Sequence, residues 1–124
     1  MTLQDRLNNL KRELGLKVSS DAQAIMQRAT EALKNSGQAQ SAMRIGDTPQ
    51  GFTLTDISGA VFRSAERLAR GPLVVSFYRG YWCPYCNIEL QALQATLYDI
   101  RARGADLVVI SPQTATGEDR KIEM

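Results

Sequence analysis

Leu73-Val74-Val75-Ser76-Phe77-Tyr78-Arg79-Gly80-Tyr81-Trp82-Cys83-Pro84-Tyr85-Cys86 decides the fold of this 124-residue chain. Its first six residues have the continuous apolar character of a buried central strand. Arg79-Gly80 leaves that strand. Pro84 suits the first turn of a helix, where its missing N–H costs nothing. Leu90, Leu93, Leu97 and Ile100 then form one apolar stripe, and Gly104 is a candidate for the residue just past the helix end. Leu107-Val108-Val109-Ile110 reads as a second buried strand, stopped by Ser111-Pro112. Strand, helix, strand predicts a right-handed parallel βαβ unit of α/β class, with a C-x-x-C at the strand-to-helix junction.

Upstream the pattern changes. Phe52 and Leu54 alternate with polar residues, Asp56-Ile57-Ser58-Gly59 turns the chain, and Val61 follows, which predicts a β-hairpin. Residues 64–70 suit one or two helical turns. Further upstream Leu3, Leu7, Leu10 and Leu14 line one face of a short helix, with Gly15 as its stop. A second helix starts near Ser20, where Ser20-x-x-Gln23 fits a capping box. Its apolar face is Ala22, Ile25, Met26, Ala29 and Leu33. Gln38 to Ser41 reads as a linker. Residues 1–40 are therefore expected to be a helical arm, and 44–124 the main domain, with a polar tail from Thr114. The leucine stripe either packs on that domain or dimerises.

Composition narrows the chemistry. Lys and Arg number 15 against 13 Asp and Glu, a net charge of +2 that gives no case for nucleic acid. No apolar run is long enough to span a membrane. The N-terminus shows no secretory h-region, so the expected location is the cytoplasm. There is no histidine, which excludes a Cys-His nucleophile pair and a Cys2His2 zinc site within the chain.

Cys83 and Cys86 are the only cysteines. A sulfur at a helix N-terminus is favoured as thiolate, because unpaired N–H groups and the helix dipole both stabilise negative charge there. Cys83 precedes Pro84, so it is read as the cap-position nucleophile. Cys86, one turn further in, is the resolving thiol. Arg79 can add a positive field, unless it is simply a solvated surface charge. Tyr81 and Trp82 would form an apolar rim for substrate or partner. Two other readings of the cysteines stay open: half of a zinc site shared between chains, and a pair of ordinary core thiols.

Val74 to Cys86 resembles the active-site segment of the peroxiredoxin-like branch of the alkyl hydroperoxide reductase/thiol-specific antioxidant family. Ile45-Gly46-Asp47-x-x-x-x-Phe52-x-Leu54 resembles the opening hairpin of that family. Asn87-Ile88-Glu89-Leu90-Gln91-Ala92-Leu93-Gln94 and Val108-Val109-Ile110-Ser111-Pro112-Gln113 resemble its downstream segments, and the two N-terminal helices its leader. The resemblance implies a thioredoxin-like fold and a thiol-dependent oxidoreductase, without cofactor or metal, that reduces hydroperoxides. Cys83 would be peroxidatic and Cys86 resolving, with thioredoxin or glutathione as reductant. Typical peroxiredoxins carry threonine and proline where this chain has Gly80 and Ser76, and Cys-Pro-Tyr-Cys is the usual glutaredoxin tetrapeptide. The alternatives are therefore a glutaredoxin-like disulfide oxidoreductase, or a non-catalytic module acting through a partner. A thioredoxin-like fold also continues past its second βαβ strand for longer than the thirty-eight residues after Cys86. The expectation is a fold lacking its C-terminal part, which associates into a homodimer or larger assembly.

Overall fold

A computed structural model of the chain describes residues 1–114; the polar tail read from Thr114 lies, beyond that residue, outside them. The chain divides into two compact units, Met1–Gln50 and the part beginning at Gly51.

The first unit is helical. Helix α1 runs Leu3–Lys17. Its start is fixed by a capping box that the sequence reading missed. Thr2 Oγ1 accepts from Asp5 N at 3.1 Å, and Asp5 Oδ2 accepts from Thr2 N at 2.8 Å. Leu3, Leu7, Leu10 and Leu14 are half-buried along one face, as their spacing predicts. Gly15 does not stop the helix: one glycine costs only about 1 kcal/mol, and the chain continues helical to Lys17. Helix α2 runs Ser20–Asn35, and its cap is Ser19 rather than Ser20. Ser19 Oγ accepts from Ala22 N at 3.2 Å, while the Gln23 amide turns back to the carbonyls of Gly15 and Val18. Residues 38–41, expected as linker, form the single helical turn α3, Gln38–Ser41.

The second unit carries the hairpin and the βαβ unit. Strands β1, Thr53–Thr55, and β2, Val61–Arg63, pair antiparallel with Leu54 opposite Phe62. Asp56 builds the turn, its Oδ1 accepting from the N–H groups of Ser58 and Ala60 and from the Ser58 hydroxyl. The short helix α4, Ser64–Leu68, follows directly. Its buried Ser64 accepts from Phe52 N at 2.9 Å, and the Phe52 and Phe62 rings stack with centroids 5.8 Å apart.

Strand β3, Leu73–Phe77, pairs parallel with β4, Asp106–Ile110, from Leu73 opposite Asp106 to Phe77 opposite Ile110. Helix α5, Pro84–Ala102, connects them and packs against β4. It ends in a Schellman motif: Ala105 N donates to Ile100 O, Gly104 N donates to Arg101 O, and Gly104 takes φ 78°. Arg67 of α4 pairs with Asp106 at 2.9 Å, tying the hairpin side to the start of β4.

The expectation for β3 is also corrected. The run 73–78 is not a buried central strand among the described residues. It forms one edge of a two-stranded sheet, with Phe77 76% exposed and Val74 and Val75 also open. An apolar run reports what a strand prefers to bury and cannot show whether covering layers are present. The buried residues gather instead at the N-terminal end of α5, where Cys83, Cys86 and Leu90 are 2%, 8% and 5% exposed.

Candidate active site

The site is built where β3 hands over to α5. The strand ends at Phe77, and Tyr78 N still donates to Ile110 O at 2.9 Å. The loop 79–82 then turns so that Gly80 O accepts from Cys83 N at 3.1 Å. Cys83 is the N-cap residue of α5 in extended conformation, and Pro84 occupies the first helical turn. Two features read from the sequence are thus in place: a sulfur at the cap position and a proline that gives up no needed donor.

The two cysteines approach within 3.0 Å and are both free thiols. Their surroundings push them in opposite directions. Burial would raise the Cys83 thiol. The Cys86 thiol, the N–H groups of Cys86 and Tyr85 and the charge of Arg79 act against burial, and the net result lies below the ordinary thiol value. Burial raises Cys86, and its hydrogen bond to Cys83 and the Cys83 charge raise it further, against an opposing contact from the Arg79 N–H. Arg79 N donates to Cys86 Sγ at 3.4 Å. One sulfur is therefore disposed to carry charge and the other to keep its proton.

Arg79, Tyr81, Trp82 and Pro84 all lie on or beside this loop. The Arg79 guanidinium sits 4.8 Å from the centre of the Trp82 ring, and Trp82 is 55% exposed. Arg79 and Pro84 are exposed, and Tyr81 is half-buried. Gly80 is buried and takes φ 150°. A Cβ there would lie 2.6 Å from Trp82 Nε1 and 2.9 Å from Gln113 Cδ, so no side chain fits while those groups hold their places. The space that a side chain at position 80 would need is taken by Trp82 and Gln113.

Two residues that the sequence reading gave no role complete the site. Asn87 Nδ2 donates to Tyr81 O at 3.0 Å, and Gln113 Oε1 accepts from Tyr81 N at 3.0 Å. Asn87 Oδ1 is buried and has no hydrogen-bond partner among the described residues. An unpartnered buried acceptor costs roughly 1–3 kcal/mol. The amide orientation is still fixed, because turning it over would set Oδ1 against the Tyr81 carbonyl. The only signal in the sequence was position: Asn87 lies one turn past Cys83 on the same helix, and Gln113 just past the β4 end.

Among the described residues, no group of three or more His, Cys, Asp or Glu side chains is placed to hold a metal ion, and no helix is long and apolar enough to cross a membrane. An open hollow of about 740 Å³ lies between the hairpin and the α5–β4 layer, lined by Phe62, Tyr78, Leu90 and Val109 among others, and neither cysteine borders it. The family model of the AhpC/TSA family matches residues 45–123, well over half of the chain. No curated protein and no solved structure gave a match.

Proposed function

This chain belongs to the AhpC/TSA family, a thioredoxin-like family of thiol-dependent oxidoreductases, and we propose that it reduces hydroperoxides through a Cys83/Cys86 redox pair. The observation that carries this reading is the opposite disposition of two cysteines that approach within 3.0 Å at one helix N-terminus. A nucleophile must be thiolate, and its partner must be in reach without competing for the first step.

In the first step the Cys83 thiolate attacks one oxygen of the substrate O–O bond. That bond breaks, the sulfur becomes a sulfenic acid, and the alkoxide takes a proton and leaves as an alcohol, or as water from hydrogen peroxide. The Cys86 thiol and the N–H groups at the start of α5 favour charge on the sulfur until it is spent. In the second step the Cys86 sulfur displaces the sulfenic oxygen. A Cys83–Cys86 disulfide forms and one water is released. Two reductant thiols, from glutathione or a thioredoxin, then restore both cysteines by exchange and become a disulfide themselves.

Burial favours this substrate class over the disulfide alternative. Cys83 is 2% exposed, so a peroxide of few atoms reaches it with less loop movement than a protein disulfide needs. Trapping tests the assignment. With Cys86→Ser, hydrogen peroxide should leave Cys83 as a sulfenic acid captured by dimedone. The unaltered protein should form the internal disulfide instead, and Cys83→Ser should do neither. Dimedone capture at Cys86, or oxidised glutathione reacting faster than peroxide, would replace this reading.

A further inference from the structure

We propose that Asn87 and Gln113 are positioning residues that clamp Tyr81 through its C=O and its N–H, and so hold the loop carrying Arg79 and Trp82 beside the cysteine pair. This inference rests on Cys83 being the reacting thiol.

Several backbone groups along the loop have a definite anchor. Arg79 N bonds Cys86 Sγ, and Gly80 O accepts from Cys83 N. Tyr81 is also held from outside the loop, by one side chain from α5 and one from the segment after β4. Tyr81 O takes the Asn87 Nδ2 donor, and Tyr81 N gives to the Gln113 Oε1 acceptor, both at 3.0 Å. Asn87 is fixed to the cysteine turn through its backbone, since Asn87 N donates to Cys83 O at 3.1 Å. Gln113 is supported from beneath: Ser111 Oγ donates to its Oε1 at 3.4 Å, and Gln113 N donates to Ser111 Oγ at the same distance. The clamp therefore joins the start of α5 to the end of β4 across the loop.

The loop's two functional side chains depend on that hold. Trp82 and Gln113 both press on the space above Gly80, and Arg79 lies on the Trp82 ring. If Tyr81 swings free, Trp82 loses its seat and Arg79 loses its position beside Cys83. The two amides work through opposite atoms, one as donor and one as acceptor. Replacing each by its acid therefore has opposite consequences. Asn87→Asp removes the donor and sets a carboxylate against a carbonyl. Gln113→Glu keeps an acceptor facing an N–H.

The test is the pH profile of Cys83 alkylation in the full reduced chain, with Cys83 and Cys86 adducts separated by peptide mapping. Asn87→Ala, Asn87→Asp and Gln113→Leu should each move the Cys83 inflection upward and slow its alkylation at neutral pH by about three- to tenfold, the weight of one hydrogen bond. Hydrogen exchange reads the clamp directly: the Tyr81 amide should exchange faster in Gln113→Leu and stay protected in Gln113→Glu. Should an Asn87 variant fail to fold, the Gln113 pair tests the clamp from outside the helix. An unchanged profile and unchanged Tyr81 exchange in Gln113→Leu would overturn the clamp. An ordinary inflection for Cys83 in the unaltered chain would instead overturn its role as the reacting thiol.

Discussion

At the scale of single residues, the candidate site makes two like groups unlike. Cys83 caps α5 and is held below the ordinary thiol range, while Cys86 lies inside the helix and is held above it. The sign of the pH dependence follows. Because Cys83 is depressed, its thiolate persists as pH falls below the free-thiol value of about 8.5 and is lost only at the lower folded value. The inflection of Cys83 alkylation should therefore lie below the free-thiol value, and that of Cys86 above it. The same linkage makes the Cys83 contribution to stability present above the unfolded value and lost as pH falls through the folded one. Pseudo-first-order alkylation rates from pH 5 to 10 check this, and inflections in the reverse order would contradict it. These two cysteines were legible in the sequence because their spacing and the proline between them say where a helix begins. The roles proposed for Asn87 and Gln113 were not. The bonds that define them converge on Tyr81, 6 and 32 residues away, and no local pattern announces such a pairing.

At the scale of elements, the ends are what the sequence reading partly misplaced. It put the α2 cap one residue late and passed over the Thr2–Asp5 box. Adjacent serines offer the same oxygen, and only the backbone conformation chooses between them. The far end of α5 was legible, since glycine alone accepts the positive φ that a Schellman motif needs without strain. That turn delivers the chain to Asp106 and the parallel pairing that backs the site. Gly104→Ala should destabilise the protein by roughly 1–2 kcal/mol, the cost of left-handed backbone for a residue with a Cβ. The midpoint of urea unfolding of the reduced protein measures this, and an unshifted midpoint would mean that the α5 terminus bears no strain. The hairpin between residues 53 and 63 was read correctly from alternation and Asp56-x-x-Gly59, because side-chain capping of a turn is a local event.

At the scale of the molecule, the βαβ unit and its membership of the AhpC/TSA family agree. What the strand pattern could not convey is how little covers β3. Among the described residues its outer edge has no strand partner and Phe77 is open. An exposed strand edge with apolar side chains is a template for pairing. We expect copies of the chain to associate, and light scattering at micromolar concentration should give a mass above 13.7 kDa. A monomeric mass would contradict that expectation and leave the site chemistry untouched. The central claim is that Cys83 is built to react with peroxide, and Trp82 beside it supplies the signal. The direct measurement is stopped-flow fluorescence of the fully reduced protein mixed with hydrogen peroxide. The account predicts a change at a rate far above that of a free thiol, absent in Cys83→Ser. A rate no faster than a free thiol would contradict it.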